Sequence, residues 1–505
     1  MAESVRGGIP VLGKQWTLCE KPMGANVIGS RWIYKTKRDE NGNITRRKAR
    51  FVAQEGFSQE PGKDYGETHA SVARHTSTRT LFALAAKEDW ELDNMDVDTA
   101  FLNADIKEEI YIRQPRGFEQ RGPNGEELVC KLNKSIYGLK QASRNWNDTL
   151  DEWMREYGLK ATRADACVYT KRHQGETLVI LVWVDDLILA GSNKRVVADF
   201  KAAISRRFKM KDLGALEWIL GFKIRRDRPK RKIEILQTAY IEQMLKRFGM
   251  EDCKAVGTPA EGVLSRTSVE DGGEPNKLYM SMVGSLLYAA MVTRPDITFA
   301  VQALGRHMQA SGPEHIIAAK RVLRYLQGTK DLGLVYEYGA TKHDETPSHY
   351  IHGYSDADWG GDKDTRRSTT GYVFMLGTGV VSWGSKLQQT VALSSAESEY
   401  MAACAAVQEA IHLRQLMGDL GYKQDGATVI YEDNQGCIAL SANPVFHKRT
   451  KHIDIRYHFI RERVASGEVE LRYIPTEEQL ADLLTKALPK PRTITLRDQV
   501  MGHGK

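Results

Sequence analysis

Residues 178–191 read LVILVWVDDLILAG, an apolar run broken at its centre by two adjacent carboxylates, Asp185 and Asp186. The β-branched and aromatic flanks predict a buried strand. A bare carboxylate is costly to bury unless it is paired, hydrogen-bonded or bound to a metal. This stretch alone leaves two explanations open. Aspartate is a common turn residue, so the pair can mark an ordinary hairpin; alternatively, a cation compensates both charges.

Working outward, WELDNMDVDTAFL (90–102) alternates with period two, which places Asp96 and Asp98 on one face, opposite Met95 and Val97. Spacing does not choose between those two aspartates. Together with Asp185 and Asp186 they form a cluster that cannot fully ionise without a cation. Two divalent metals resolve that conflict and serve phosphoryl chemistry.

The C-terminal third carries the same signature independently. Asp356 closes YIHGYSD, Asp433 closes ATVIYED, and Asp482 opens a short helix in TEEQLADLLTK. A helix from about residue 396 has an apolar stripe of Tyr400, Cys404, Val407 and Ile411. At 100° per residue, Glu397 sits at the edge of that stripe and Glu399 points away. Glu397 is therefore expected to face inward and Glu399 to be solvated. Taken singly, each of these acids also reads as a cap or a turn residue.

The remaining chain is ordinary in bulk. Its 505 residues, 41% apolar and 27% charged, allow several sizeable cores. A net charge of +7 points only weakly to a polyanionic partner. The cysteines (Cys19, Cys130, Cys167, Cys253, Cys404 and Cys437) form no C-x-x-C pair, which argues against a zinc ribbon and a disulfide framework. The start, MAESVRGGIP, lacks an apolar segment of signal-peptide length, and LVILVWV falls far short of the roughly 20 residues that span a bilayer. A soluble intracellular protein is expected. Residues 28–60 predict a β-hairpin turning at Asn41-Gly42, with Lys35, Lys37, Arg46, Arg47, Lys48 and Arg50 towards its strand ends. Helices are predicted at 76–89, 140–158 and within 277–328, a linker at 261–276, and a domain boundary near 345.

Ordered blocks then run through almost the whole chain: KARFVAQEGFSQEPGKDYGETHASVAR, MDVDTAFLNADIKEEIYIRQPRGF, KLNKSIYGLKQASRNW, WVDDLILAG, MKDLGALEWILGFKI, VGSLLYAAMVTRPDI, AAKRVLRYLQGT, GYSDADWGGD, SSAESEYMAA, EDNQGCIAL, RTKHIDIRYHFIRE and EEQLADLLTK. They resemble the reverse transcriptase plus RNase H part of a copia-type LTR retrotransposon polyprotein. The resemblance implies an α+β right-hand polymerase fold: fingers and palm over 1–225, thumb and connection over 226–345. An RNase H-like α/β domain with a mixed five-stranded sheet would follow over 346–488, then a basic tail over 489–505.

It also implies roles. Asp96, rather than Asp98, would join Asp185 and Asp186 in holding two Mg²⁺ ions, with Mn²⁺ as an alternative. Asp356, Glu397, Asp433 and Asp482 would hold the ions of the second centre. Phe101 would be the steric gate against a ribose 2′-hydroxyl and Gln141 would line the nucleotide pocket. Arg50 with Lys35 or Lys37 would contact the triphosphate. Trp183 stands where the family usually has Tyr or Phe. The implied partners are an RNA template, a DNA primer, RNA–DNA hybrid and dNTPs, with integrase and capsid as polyprotein companions and no membrane. The implied location is a cytoplasmic virus-like particle with a nuclear phase. The chain would then be either a processed or truncated polyprotein piece or the reading frame of a degraded element. The alternatives to a working enzyme are a nucleic-acid-binding remnant without turnover and a polymerase with an inert RNase H.

Overall fold

In the computed structural model, which describes residues 15–38, 43–54, 58–262, 264–265, 276–339, 350–442 and 454–504, the 178–191 run forms two antiparallel strands. Glu176–Trp183 and Asp186–Gly191 turn about Val184 and Asp185. Alternate residues enter different cores. Val179, Leu181, Ile188 and Ala190 pack into one cluster, and Leu178, Ile180, Val182, Leu187 and Leu189 into another. Burial on both faces explains the unbroken apolar character, because no solvent-facing position exists to show the period of two.

These strands are the centre of a six-stranded antiparallel sheet. Its order is Met210–Ala215, Glu91–Val97, Asp186–Gly191, Glu176–Trp183, Val168–His173 and Lys160–Ala161. Helix His75–Glu88 packs in the first core, and helices Ala142–Glu156 and Lys194–Arg207 supply residues to the second. The N-terminal part adds the hairpin Ser30–Arg38 and Ile44–Ala53, whose expected Asn41-Gly42 turn lies outside the described residues. A four-stranded sheet of Trp16–Glu20, Leu128–Leu132, Tyr111–Ile112 and Val27–Ile28 stands beside it. Most of the predicted linker at 261–276 is likewise outside the described residues.

A second four-stranded sheet (Trp218–Ile219, Phe222–Asp227, Lys232–Leu236, Leu334–Glu337) and a helical bundle follow. Helices Thr238–Arg247, Lys277–Val292, Thr298–Gly305 and Pro313–Gly328 share a core of their own. The C-terminal sheet is mixed. Gly379–Leu387, Thr369–Leu376 and Ile351–Asp358 run antiparallel, and Thr428–Glu432 and Val469–Tyr473 continue in parallel. Helix Ser395–Asp419 packs on this sheet. The mixed five-stranded sheet is thus present.

Residues 490–500 form a helix within the span expected as a basic tail, 489–505. Leu496, Val500 and Met501 are buried in the first core, and Val335 N donates to Met501 O at 2.9 Å. That core is continuous from the six-stranded sheet into the C-terminal domain. Arg79 joins the parts. Buried on helix His75–Glu88, it donates to Val381 O (2.8 Å), Met291 O (2.8 Å) and Val292 O (3.2 Å) and lies 3.8 Å from the Trp383 ring centroid. Arg79→Met leaves buried carbonyls without donors and is expected to cost roughly 3 kcal/mol, read as a lowered urea midpoint; an unchanged midpoint would contradict the junction. Among the described residues, no helix is long and apolar enough to cross a membrane.

Candidate active site

At the hairpin tip Val184 adopts φ 58°, a left-handed conformation that is costly for a β-branched residue. Two contacts hold the turn: Trp146 Nε1 donates to Val184 O at 2.6 Å, and Val97 N donates to Asp185 O at 2.8 Å. Asp185 therefore sits at the tip, and Asp186 opens the return strand directly opposite Asp96. Burial, then Asp185 and Asp96, push Asp186 up to about 6. Burial and Asp185 likewise raise Asp96, against the opposing pull of Lys211 and Lys48. The strand ends at Val97, so Asp98 does not share its face with Asp96 as the alternation predicts; its carboxylate pairs with Lys209 at 2.6 Å.

A cationic and aromatic wall stands beside these acids. The Arg50 guanidinium lies 4.6 Å from the Tyr137 ring centroid, and Phe101 packs on the same ring at 4.5 Å. Tyr137 is pushed up by burial, with Arg50 opposing and Asp185 and Asp96 reinforcing the shift. Its backbone is fixed by close approach: Ala53 N donates to Tyr137 O, and a Cβ on Gly138 (φ 96°) would lie 2.1 Å from Ala53 O. Tyr137 and Lys48 were not among the expected site residues. Lys35 is exposed on the hairpin opposite Lys48, and the side chain of Lys37 is outside the described residues.

Gln141 is a correction. It is 1% exposed, with its amide donating to Asp64 O (2.8 Å) and its oxygen accepting from Gln59 (3.0 Å). A fully engaged, buried amide braces the loop and does not line an open pocket. Trp183 packs against His75 in a tilted arrangement, ring centroids 5.1 Å apart, and its buried Nε1 has no hydrogen-bond partner among the described residues.

In the C-terminal domain the ligand oxygens of Asp356, Glu399 and Asp433 all lie within 4.8 Å of one another. Glu397 is buried as expected, but Glu399, expected to be solvated, is buried equally and is the one that joins the trio. Glu399 is 6% exposed, and the Ala357 amide donates to its carboxylate. Glu397 is occupied in capping the helix: its Oε2 accepts from Leu393 N at 2.7 Å and its own N–H donates to Ser394 Oγ at 3.2 Å. The stripe argument failed because this helix is buried around most of its circumference. A second stripe, Glu399, Ala403, Ala406, Ala410 and Leu413, has helical spacing; its last four members are fully buried. That alanine row is the signal which would have selected Glu399.

Glu432, overlooked in the sequence, lies fully buried behind this trio and hydrogen-bonds Glu399; burial and Asp356 raise it well above the carboxylate range. Burial and Glu432 raise Glu399 in the same direction. Thr476 donates to Asp433 Oδ2 at 2.7 Å, and Thr485 donates to Asp356 Oδ2. Asp482 is buried but set apart from the trio, paired with Lys486 at 2.6 Å and Arg492 at 2.5 Å. The trio fits a divalent cation: Glu399 Oε2 is buried with no hydrogen-bond partner, and among the described residues neither Glu399 nor Asp433 makes an ion pair. The aspartates at the hairpin tip do not close to the same degree.

Burial pushes Asp356 up to about 7, with Lys486 opposing. Its folded value lies above the unfolded one of roughly 4. Its contribution to ion-free stability is thus full below pH of about 4 and lost as pH rises through about 7. In a chelator, Asp356→Asn should therefore raise the melting temperature more at pH 8 than at pH 5, by about 2 °C or more. Equal shifts at both pH values would contradict this.

A family profile described as reverse transcriptase (RNA-dependent DNA polymerase) matches residues 13–262. The chain is 42% identical over 496 residues to the Retrovirus-related Pol polyprotein from transposon TNT 1-94 of Nicotiana tabacum, covering 97% of this chain and 36% of that protein. It is 32% identical over 321 residues to a Putative transposon Ty5-1 protein of Saccharomyces cerevisiae, covering 62% of this chain and 100% of that protein. The chain spans about a third of the length of the tobacco and Arabidopsis thaliana polyproteins it matches (36%, 32% and 31%). Among solved structures, the foamy viral protease-reverse transcriptase in complex with RNA/DNA hybrid aligns with a TM-score of 0.48 at 12% identity, over 94% of this chain and 53% of that one.

Proposed function

The chain belongs to the reverse-transcriptase family of copia-type LTR retrotransposon Pol polyproteins, and on that premise we propose that it extends a DNA primer on an RNA template and, at a second centre, hydrolyses the RNA strand of the hybrid. The observation that carries the polymerase reading is the pairing of Asp186 with Asp96 beneath a strained tip bearing Asp185. Asp96 and Asp186, paired in register, with Asp185 adjacent at the tip, are the groups that would share divalent cations. Asp96, Asp185 and Asp186 would hold Mg²⁺ at the first centre, and Asp356, Glu399 and Asp433 at the second. Bound there, such ions supply Lewis acidity for attack on and departure from a phosphorus atom.

The chain's own groups do the positioning. Arg50, held over the Tyr137 ring, presents a fork suited to the incoming triphosphate. Lys35 and Lys48, cross-strand partners on the hairpin, add charge that attracts polyphosphate. Phe101, packed against Tyr137, sets the floor on which a ribose rests and is placed to exclude a 2′-hydroxyl. At the second centre, Thr476 and Thr485 orient Asp433 and Asp356.

A cavity of about 960 Å³ lies where the two regions meet and offers a surface to nucleic acid. Trp183 and His75 of the first region line it, together with Lys386, Gln388 and Met401 of the second. The test is to incubate the protein with Mg²⁺, dNTPs and an oligo(dT)-primed poly(rA) template, with a labelled RNA–DNA hybrid in parallel. Extension together with RNA-strand cleavage is expected. Binding of the hybrid with neither reaction would overturn the proposal in favour of a non-catalytic binder.

A further inference from the structure

The second centre is electrostatically lopsided. On one side, Asp356, Glu399 and Asp433 converge, and among the described residues the latter two make no ion pair. On the other side, Asp356 and Asp482 face a cation that belongs to the chain itself. Lys486 Nζ lies 2.6 Å from Asp482 Oδ1 and 3.5 Å from Asp356 Oδ2. It occupies the place that a second ion bridging those two carboxylates would take.

Building on the nuclease reading above, we infer that Lys486 is a resident counterion which reserves the Asp356–Asp482 position, and that a second divalent ion enters only by displacing its ammonium group. The two basic residues on Asp482 are not equivalent. Arg492 is fixed: besides Asp482, its guanidinium donates to Thr476 O at 2.5 Å and Glu477 O at 3.3 Å. A planar fork with three acceptors is held in one orientation. Lys486 is a point charge on a flexible stem, with its side chain 39% exposed, so a path to solvent is open to it. Asp482 therefore stays anchored by Arg492 when the ammonium withdraws, and the vacated position has two buried carboxylates for a ligand set. The first ion, in the trio, meets that ammonium only across Asp356, at the longer distance of 3.5 Å. The centre is thereby built to load in order, one ion readily and the second against an internal cation.

The test is a titration of the full chain with Mn²⁺, following free Mn²⁺ by electron paramagnetic resonance. Asp185→Asn and Asp186→Asn are present in every arm to silence the first centre. With Lys486 in place, one tight and one weak ion are expected. Lys486→Met should tighten the weak ion on the order of tenfold, because a like charge at contact distance is removed. Lys486→Arg should leave it weak. If Lys486→Met does not melt cooperatively, Lys486→Gln is read by the same criterion.

Unchanged affinity for the second ion in a folded neutral variant, with Asp356→Asn abolishing both ions, would overturn the resident-counterion inference alone. If Asp356→Asn binds Mn²⁺ as its parent does, the nuclease reading falls and takes the inference with it.

Discussion

Glu399→Gln is expected to abolish cleavage of the RNA strand in a hybrid, by about a thousandfold or more, while primer extension proceeds at the parent rate. The reason is local. Glu399 is the member of the trio held by the Ala357 amide, and its Oε2 is buried with no hydrogen-bond partner among the described residues. Glutamine keeps the shape and removes the charge on which the ion depends. Glu397→Gln makes the contrast. That side chain accepts from Leu393 N at the start of its helix, so its loss should cost about 1 kcal/mol of stability and leave cleavage within about threefold. The reverse pattern, with Glu397→Gln inactive and Glu399→Gln active, would refute the assignment.

Asp185→Asn should have the complementary effect. Primer extension falls by about a thousandfold or more, and RNA-strand cleavage persists. Asp185 sits on a turn whose carbonyl already accepts from Val97 N, and the substitution leaves that backbone contact in place. Any loss of extension then reports the carboxylate and not the fold. Measuring kcat and KM for dNTP separately sharpens the reading: the loss should fall on kcat, because the carboxylate acts on charge that develops during the reaction. Retained extension would remove Asp185 from the site even if the family reading stands.

These two substitutions also mark how far the sequence could be read. The 178–191 run was legible as strand, and the Asp pair as either turn or ion site; the structure shows the turn, at Val184-Asp185, and sets Asp186 opposite Asp96, the pairing from which the ion site is proposed. What spacing could not reveal was that the sheet is buried on two faces, since a run that is apolar throughout carries no period. The choice between Asp96 and Asp98 depended on where the strand stops, which is set by the left-handed residue Thr99 just beyond it. Glu399 was misread because one apolar stripe was taken as the whole buried face, and alanines on the other stripe were overlooked.

Other misreadings came from long-range packing. Gln141 is satisfied by Gln59 and Asp64, some 80 residues upstream, a contact without any local pattern. The C-terminal helix hid its apolar side (Leu496, Val500, Met501) within basic composition. Tyr137 acquires its place from the approach of Gly138 to Ala53, again a tertiary event.

The central claim is that one chain carries two carboxylate centres, and that Glu399 builds the second. Anomalous diffraction from crystals soaked in Mn²⁺ tests it most directly. One peak is expected among Asp356, Glu399 and Asp433 and another against Asp96, Asp185 and Asp186. A peak ligated by Glu397 in place of Glu399, or no peak at the hairpin tip, would contradict it.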